Sequence, residues 1–340
     1  KLVPFWQLEL YMEYVLGNPE NVDAQLLDAV IYAFVEINPD GTLYVPTPRF
    51  LRQLVQLKLE KPALQVIAAI GGWGTEGFSD AAATPASRYN FAREAKKLMN
   101  QYGLDGIDID WEYPGSSAAG IKSSPQDREN FTLLITALRD VLGDDAWLSV
   151  AGTGDSAYIR NSAEINKIAP LITYFNLMSY DFTAGETGEN ARKHQANLYP
   201  SDLSLPGYSV DDMVNNLIEA GMPSEKILLG VPFYGRLGAT VTKSYDDLRK
   251  DYINKNGYEI AFDKQAQVPY LVKDGKFAMS YDNALSIFLK GQYVLRNCLG
   301  GIFAWTSTYD QANILAKYMN QSIYDPDALK SELEQVFGQF

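Results

Sequence analysis

The sequence predicts an α/β protein: a single (β/α)8 TIM barrel carrying a small α+β insertion between strand 7 and strand 8. Three observations predict it. Eight short runs rich in β-branched and aromatic residues recur along the chain, amphipathic helical patterns separate them, and 340 residues with 46% apolar side chains suit one large barrel domain.

The strands are expected near residues 2–6, 29–37, 64–71, 106–112, 147–152, 173–181, 227–233 and 299–305. Apolar residues at three- and four-residue spacing mark helices such as SRYNFAREAKKLMNQYG and QDRENFTLLITALRDVLG between them. The rhythm breaks after Arg236. The turn signals NKNG and KDG, with aromatic-rich segments around them, predict the insertion over residues 238–280. ALSIFLKGQYVLRN then resumes the barrel. No linker, internal repeat or low-complexity tract divides the chain, so residues 1–340 are expected to form one domain.

Composition narrows the chemistry. A formal charge of −13 argues against a nucleic-acid or anionic-membrane surface, and no apolar run approaches the ~20 residues of a membrane helix. Cys298 is the only cysteine and His194 the only histidine. An intrachain disulfide is impossible, and a Cys/His metal site or a Ser-His-Asp apparatus is not expected. Cys298 reads as buried filler and His194, in ARKHQANLY, as a loop or surface residue. No metal or cofactor is expected. KLVPFWQLEL lacks the charged-then-apolar pattern of a secretion signal.

The informative stretch is LDGIDIDWEYP, residues 104–114. Side chains two apart in a strand share a face, so Asp108, Asp110 and Glu112 line one side, about 6–7 Å apart along the backbone. Ile107, Ile109 and Trp111 face the other way, into packing. Asp105 has the same odd parity and reads as structural. Three carboxylates on one buried face are costly. A site that uses perturbed ionisation is one compensation, since adjacent carboxyls cannot all ionise and a raised pKa suits a general acid. A magnesium or manganese site is another, although one strand offers few ligands and no histidine is at hand.

In such a barrel the active site lies at the C-terminal ends of the strands. There strand three ends in Gly71, Gly72 and Trp73, and strand six in Met178, Tyr180 and Asp181. Strand seven contributes Tyr234 and Arg236, and strand eight Trp305. Acids at the centre with tryptophans on the walls suit a carbohydrate. Trp73 is balanced between cleft wall and structural residue, Trp147 and Trp6 read as core, and LRKDYINKNG as a solvated helix face.

At these residues the sequence resembles glycoside hydrolase family 18, the chitinases. DGIDIDWE matches the family's DGxDxDxE signature. MSYD, GVPFYGR and LGGIFAW match its strand-six, strand-seven and strand-eight motifs, YAF at 32–34 and IGGW at 70–73 also fit, and VPYL…DGKF…SYDN resembles its α+β insertion. The resemblance implies a chitinase: retaining, substrate-assisted hydrolysis of β-1,4 bonds between N-acetylglucosamine units, the substrate's own acetamide oxygen attacking the anomeric carbon. It assigns Glu112 as general acid/base, Asp110 to the acetamide N–H, Tyr180 to the acetamide carbonyl and Trp305 to the floor. Asp108 supports Asp110, while Met178, Asp181, Tyr234, Arg236, Phe34, Trp73 and Gly72 line the cleft. The implied partner is chitin or its oligosaccharides, met outside the cell by a monomer whose signal is absent from this chain. An endo-β-N-acetylglucosaminidase, a peptidoglycan or spore-coat hydrolase, and a non-catalytic chitin-binding lectin are the alternatives. Two departures stand out. The family's strand-three serine is Ala69, and its strand-one tyrosine aligns with Phe5, so Asp108 is expected to be short of donors and to keep a proton with Asp110.

Overall fold

A computed structural model describes residues 9–340. Eight parallel strands close into a ring: β1 (Leu10–Leu16), β2 (Ala29–Ile37), β3 (Gln65–Gly71), β4 (Gly106–Asp110), β5 (Trp147–Gly152), β6 (Tyr174–Leu177), β7 (Ile227–Pro232) and β8 (Gly301–Trp305). Each pairs with its sequence neighbours, and β1 pairs with both β2 and β8, which closes the barrel. The family's fold expectation is met, with one strand displaced. β1 is LYMEYVL at 10–16, not the run at 2–6, and Phe5 and Trp6 lie outside the described residues.

The two-residue period of the strands sorts side chains into two cores. Met12, Tyr14, Ile31, Ala33, Ile67, Ala69 and Phe303 pack in the barrel's interior. Ile107, Ile109 and Trp111 face outward into the strand–helix layer, where Trp111 stacks on Phe78 at 5.3 Å and meets Phe131 edge-on. Asp105 is structural, bonded to Lys58 at 2.7 Å and to the Val66 N–H at 2.8 Å.

The helices that cover the strands carry their own start and stop signals. Pro85–Tyr102 begins at a Thr84–Ser87 capping box with Pro85 in its first turn and ends at the left-handed Gly103. Ala284–Arg296 begins at a capping box of Asn283 with Ser286. After it the chain turns through Cys298, which has φ 51° and is exposed, not the buried filler the sequence suggested.

Between β7 and β8 the chain makes a five-stranded antiparallel sheet, in the order Val241–Ser244, Tyr234–Leu237, Lys276–Ser280, Val268–Lys273, Tyr258–Asp263. Its first strand starts at Tyr234, ahead of residue 238. LRKDY, read as a solvated face, forms a π-helical turn at Leu248–Tyr252 with Leu248 buried. His194 ties this sheet to the loop after β6. It is fully buried, its Nε2 is 3.0 Å from Asp263 Oδ2, and its ring meets Tyr270 and Phe277 edge-on. The surface position expected for it is therefore wrong: its partner lies 69 residues away and could not be seen locally.

Candidate active site

The strand ends open into a cleft of about 1210 Å³. Asp110 and Glu112 lie on it, together with Gly72, Trp73, Phe34, Met178, Tyr180, Asp181, Arg236 and Trp305. Asp108 and Tyr234 do not reach it. Asp108 sits one pleat below Asp110, fully buried. Tyr234 stands behind Asp181, donating its hydroxyl to Oδ1 at 2.7 Å, while Arg236 Nε donates to the same oxygen at 2.8 Å.

The walls are aromatic. Trp305 stacks with Phe34 at 5.5 Å and an interplanar angle of 25°. Gly72 makes that stack possible: a Cβ there would lie 2.7 Å from the Phe34 ring, and its φ of +93° favours glycine. At Gly71 a Cβ would lie 2.0 Å from the Asp110 carbonyl oxygen. What approaches these two glycines is thus β4 and Phe34. Trp73 is 63% exposed, its ring 6.3 Å from Tyr113, so it stands as a free wall and not as core.

The carboxylates carry the electrostatics. Burial, followed by the charges of Glu112 and Asp108, drives the Asp110 carboxyl far above its ordinary range, and it shares a hydrogen bond with Glu112. Burial also raises Glu112, against the hydrogen bonds from Asp110 and Tyr113 that lower it. The two titrate as a pair, so a proton taken up there belongs to the pair and not to either residue. Asp110 Oδ1 is buried with no hydrogen-bond partner.

Asp108 is better supplied than the sequence suggested. It accepts hydrogen bonds from Tyr14 at 2.7 Å, Ser149 at 2.6 Å and Asn176 at 3.1 Å. The strand-one tyrosine is Tyr14, so the alignment to Phe5 was wrong. Asp108 lies between Ala69 on β3 and Ser149 on β5, and the hydroxyl missing at Ala69 comes from the opposite neighbour. Trp147 Nε1 donates to Ser149 Oγ at 3.0 Å, which leaves the Ser149 hydroxyl proton for Asp108. Even so, burial pushes Asp108 up to about 6.

Other cleft residues escaped the sequence. Tyr14, Tyr113, Thr153, Asp155, Glu186 and Tyr208 also line it. Tyr14 lies on β1, in the apolar run LYMEYVL that Glu13 interrupts. The rest come from loops, where no period marks a face. No group of three or more His, Cys, Asp or Glu arranged to hold a metal occurs among the described residues.

Residues 8–310 match the family described as Glycosyl hydrolases family 18. The chain is 74% identical to the chitinase domain of the spore coat protein CotE from Clostridium difficile, with 99% of this chain and 97% of that one covered at a TM-score of 0.74. A family 18 N-acetylglucosaminidase from Paenibacillus barengoltzii is 32% identical over 92% of this chain and 99% of its own, at a TM-score of 0.83. Chitinase A1 of Niallia circulans is 34% identical over 78% of this chain, which spans only 43% of that relative's length. With its carboxylate ladder at the mouth of a closed barrel and this match along nearly its whole length, the chain belongs to glycosyl hydrolases family 18.

Proposed function

We propose that the protein is a chitinase that hydrolyses β-1,4 bonds between N-acetylglucosamine units with retention at the anomeric carbon. The observation that carries this is the orphan oxygen. Asp110 Oδ1 is a buried acceptor without a donor, beside the one carboxyl that reaches the cleft next to it, Glu112. Buried acceptors are seldom left unpaired. The N–H of a substrate acetamide supplies the missing donor.

In this mechanism Glu112 gives its proton to the glycosidic oxygen as the C–O bond breaks. The acetamide carbonyl oxygen attacks the anomeric carbon, so no second protein carboxylate is needed. Asp110 accepts from the acetamide N–H and stabilises the oxazolinium-like intermediate, while the Tyr180 hydroxyl orients the acetamide carbonyl. Glu112, now a carboxylate, takes a proton from the water that opens the ring. Trp305, stacked on Phe34, provides the floor. All these groups come from one chain, which suits a monomer. A polymeric substrate suits action outside the cell.

The test is turnover of chitin oligomers beside N-glycan and peptidoglycan fragments, with the product anomer followed by NMR. Oligomers should be cut with retention, and fully deacetylated chitosan negligibly. Preferred cleavage of N-glycans or peptidoglycan would move the assignment to another N-acetylglucosamine polymer. Rapid cleavage of substrates without acetamides would sink the substrate-assisted route.

A further inference from the structure

Beside the catalytic cleft lies a second, smaller cavity that the hydrolysis leaves unused. Leu16, at the end of β1, lines both. The second cavity has a volume of about 210 Å³ and is walled by the segment after β1 and the segment after β8. That is room for about seven waters at about 30 Å³ each, the scale of a single sugar ring. Leu16 follows Tyr14 by two residues and Ser307 follows Trp305 by two, so the cavity begins roughly 7 Å of chain beyond the floor.

Its lining is mostly polar. Asn18, Glu20 and Asn21 come from the first segment, Ser307, Thr308 and Gln311 from the second, and Leu16 and Val22 supply the apolar part. Donors and acceptors around a little apolar surface match a sugar, whose hydroxyls need both and whose C–H face needs neither. Asn21 and Gln311 spend only backbone atoms on the protein. The Asn21 carbonyl accepts from Asn313 Nδ2 at 2.8 Å and the Gln311 N–H donates to Asp246 at 2.9 Å, which leaves both side chains free for a ligand. Asn18 and Glu20 are tied to one turn, Asn18 Nδ2 to Glu20 Oε2 and the Glu20 N–H to Asn18 Oδ1, each at 3.2 Å. Two hydrogen bonds fix the walls to each other: the one from Asn313 to Asn21, and that of the Leu16 N–H to Thr306 Oγ1 at 3.1 Å.

One group in this lining points to an occupant. Ser307 is only 7% exposed, and its Oγ is buried with no hydrogen-bond partner. Its carbonyl accepts the Asp310 N–H at 3.0 Å, so the hydroxyl is the part left unmatched. Buried hydroxyls are seldom left so. Ser307 lines the second cavity and not the catalytic cleft, so the missing partner is to be sought there.

Resting on the chitinase reading above, we propose that this cavity is a distal subsite, which binds a further neutral sugar unit of the same substrate chain past the Trp305 floor. Ser307, Glu20 and Gln311 exchange hydrogen bonds with its hydroxyls, and Leu16 and Val22 pack against its C–H face. The enzyme then favours chains long enough to bridge floor and cavity.

The experiment measures kcat/KM on N-acetylglucosamine oligomers of increasing length, for wild type and for the Glu20→Ala/Gln311→Ala double variant. Both residues are exposed, so their truncation leaves the fold intact. In wild type, kcat/KM should step up about tenfold at the length that first reaches the cavity, the gain that one or two hydrogen bonds give. In the double variant the step should shrink to about threefold or less. A crystal of Glu112→Gln with a long oligomer bound should show a sugar ring in the cavity, with an oxygen in hydrogen-bonding distance of Ser307 Oγ. No step with length, a step that the double variant keeps in full, or an empty cavity beside an occupied floor would overturn the proposal. Failure to cut an oligomer of any length would overturn the chitinase reading instead. The cavity is then read by calorimetry with the same oligomers, whose affinity should still drop about threefold in the double variant, and an unchanged affinity would reject it.

Discussion

Three donors meet on Asp108, and they decide how the residues above it titrate. Hydrogen bonds from Tyr14, Ser149 and Asn176 favour its ionised form, against burial that raises it to about 6. An ionised Asp108 adds its charge to those that raise Asp110. Tyr14→Phe removes a donor, so Asp108 should hold its proton to higher pH, and the acidic limb of kcat/KM should move upward by roughly one pH unit. Superimposable profiles for Tyr14→Phe and wild type on a soluble oligomer would show that Asp108 does not govern the pair. Glu112 itself offers the simpler test. Glu112→Gln keeps the shape but has no proton to give, so hydrolysis should fall by at least ~10²–10⁴-fold while oligosaccharide binding persists. A variant that retains more than a tenth of the activity would strip Glu112 of the role of acid.

At the scale of elements, the turn after β3 sets the floor. Gly72→Ala would place a methyl against the Phe34 ring at a φ that non-glycine residues adopt only at a cost of about 1–3 kcal/mol. The variant should melt at a lower temperature, and kcat/KM should fall by up to about 10²-fold as Phe34 and Trp305 shift. Normal activity with a lowered melting temperature would mean that the stack is structural only. Seven strands were legible because AVIYAFVEI, LQVIAAIG and their like are apolar runs between turn signals. β1 was not, because Glu13 interrupts LYMEYVL and the nearby run LVPFW looked more like a strand. Glu13 is buried nonetheless, with the Tyr11 hydroxyl donated to it. Asp110, Glu112 and the strand-end motifs were legible for the same periodic reason. Ser149's service to Asp108 and His194's burial against Asp263 were not, since each rests on a pairing between distant segments.

For the molecule as a whole, Glu13 and Asp310 bear on stability. Burial raises Glu13 from 4.5 to about 8 and Asp310 from 3.8 to about 6. A carboxyl raised in the folded state stabilises the fold fully below its unfolded pKa, and that stability is lost as pH climbs through the folded value. The protein should therefore be most stable in mild acid and weaken up to about pH 8, the value given for Glu13. Glu13→Gln, which still accepts from Tyr11, should flatten that decline and be more stable above it by a few kcal/mol at most. Melting temperatures across the range decide it, and equal slopes for the two proteins would exclude Glu13 as the cause.

The seam between β1 and β8 has a consequence for how activity is acquired. Thr306 accepts the Leu16 N–H at 3.1 Å and donates to the Tyr14 carbonyl at 2.8 Å, across separations of 290 and 292 residues. Tyr14 in turn supports Asp108 and packs 5.6 Å from Trp305. The floor of the cleft and the buried acid beneath it are thus joined only when the two ends of the ring meet. Contacts so distant in sequence form late, because the loop must close before they reward it. During refolding, helical signal should return before turnover does, and the first hydrolysis marks the moment the ring shuts.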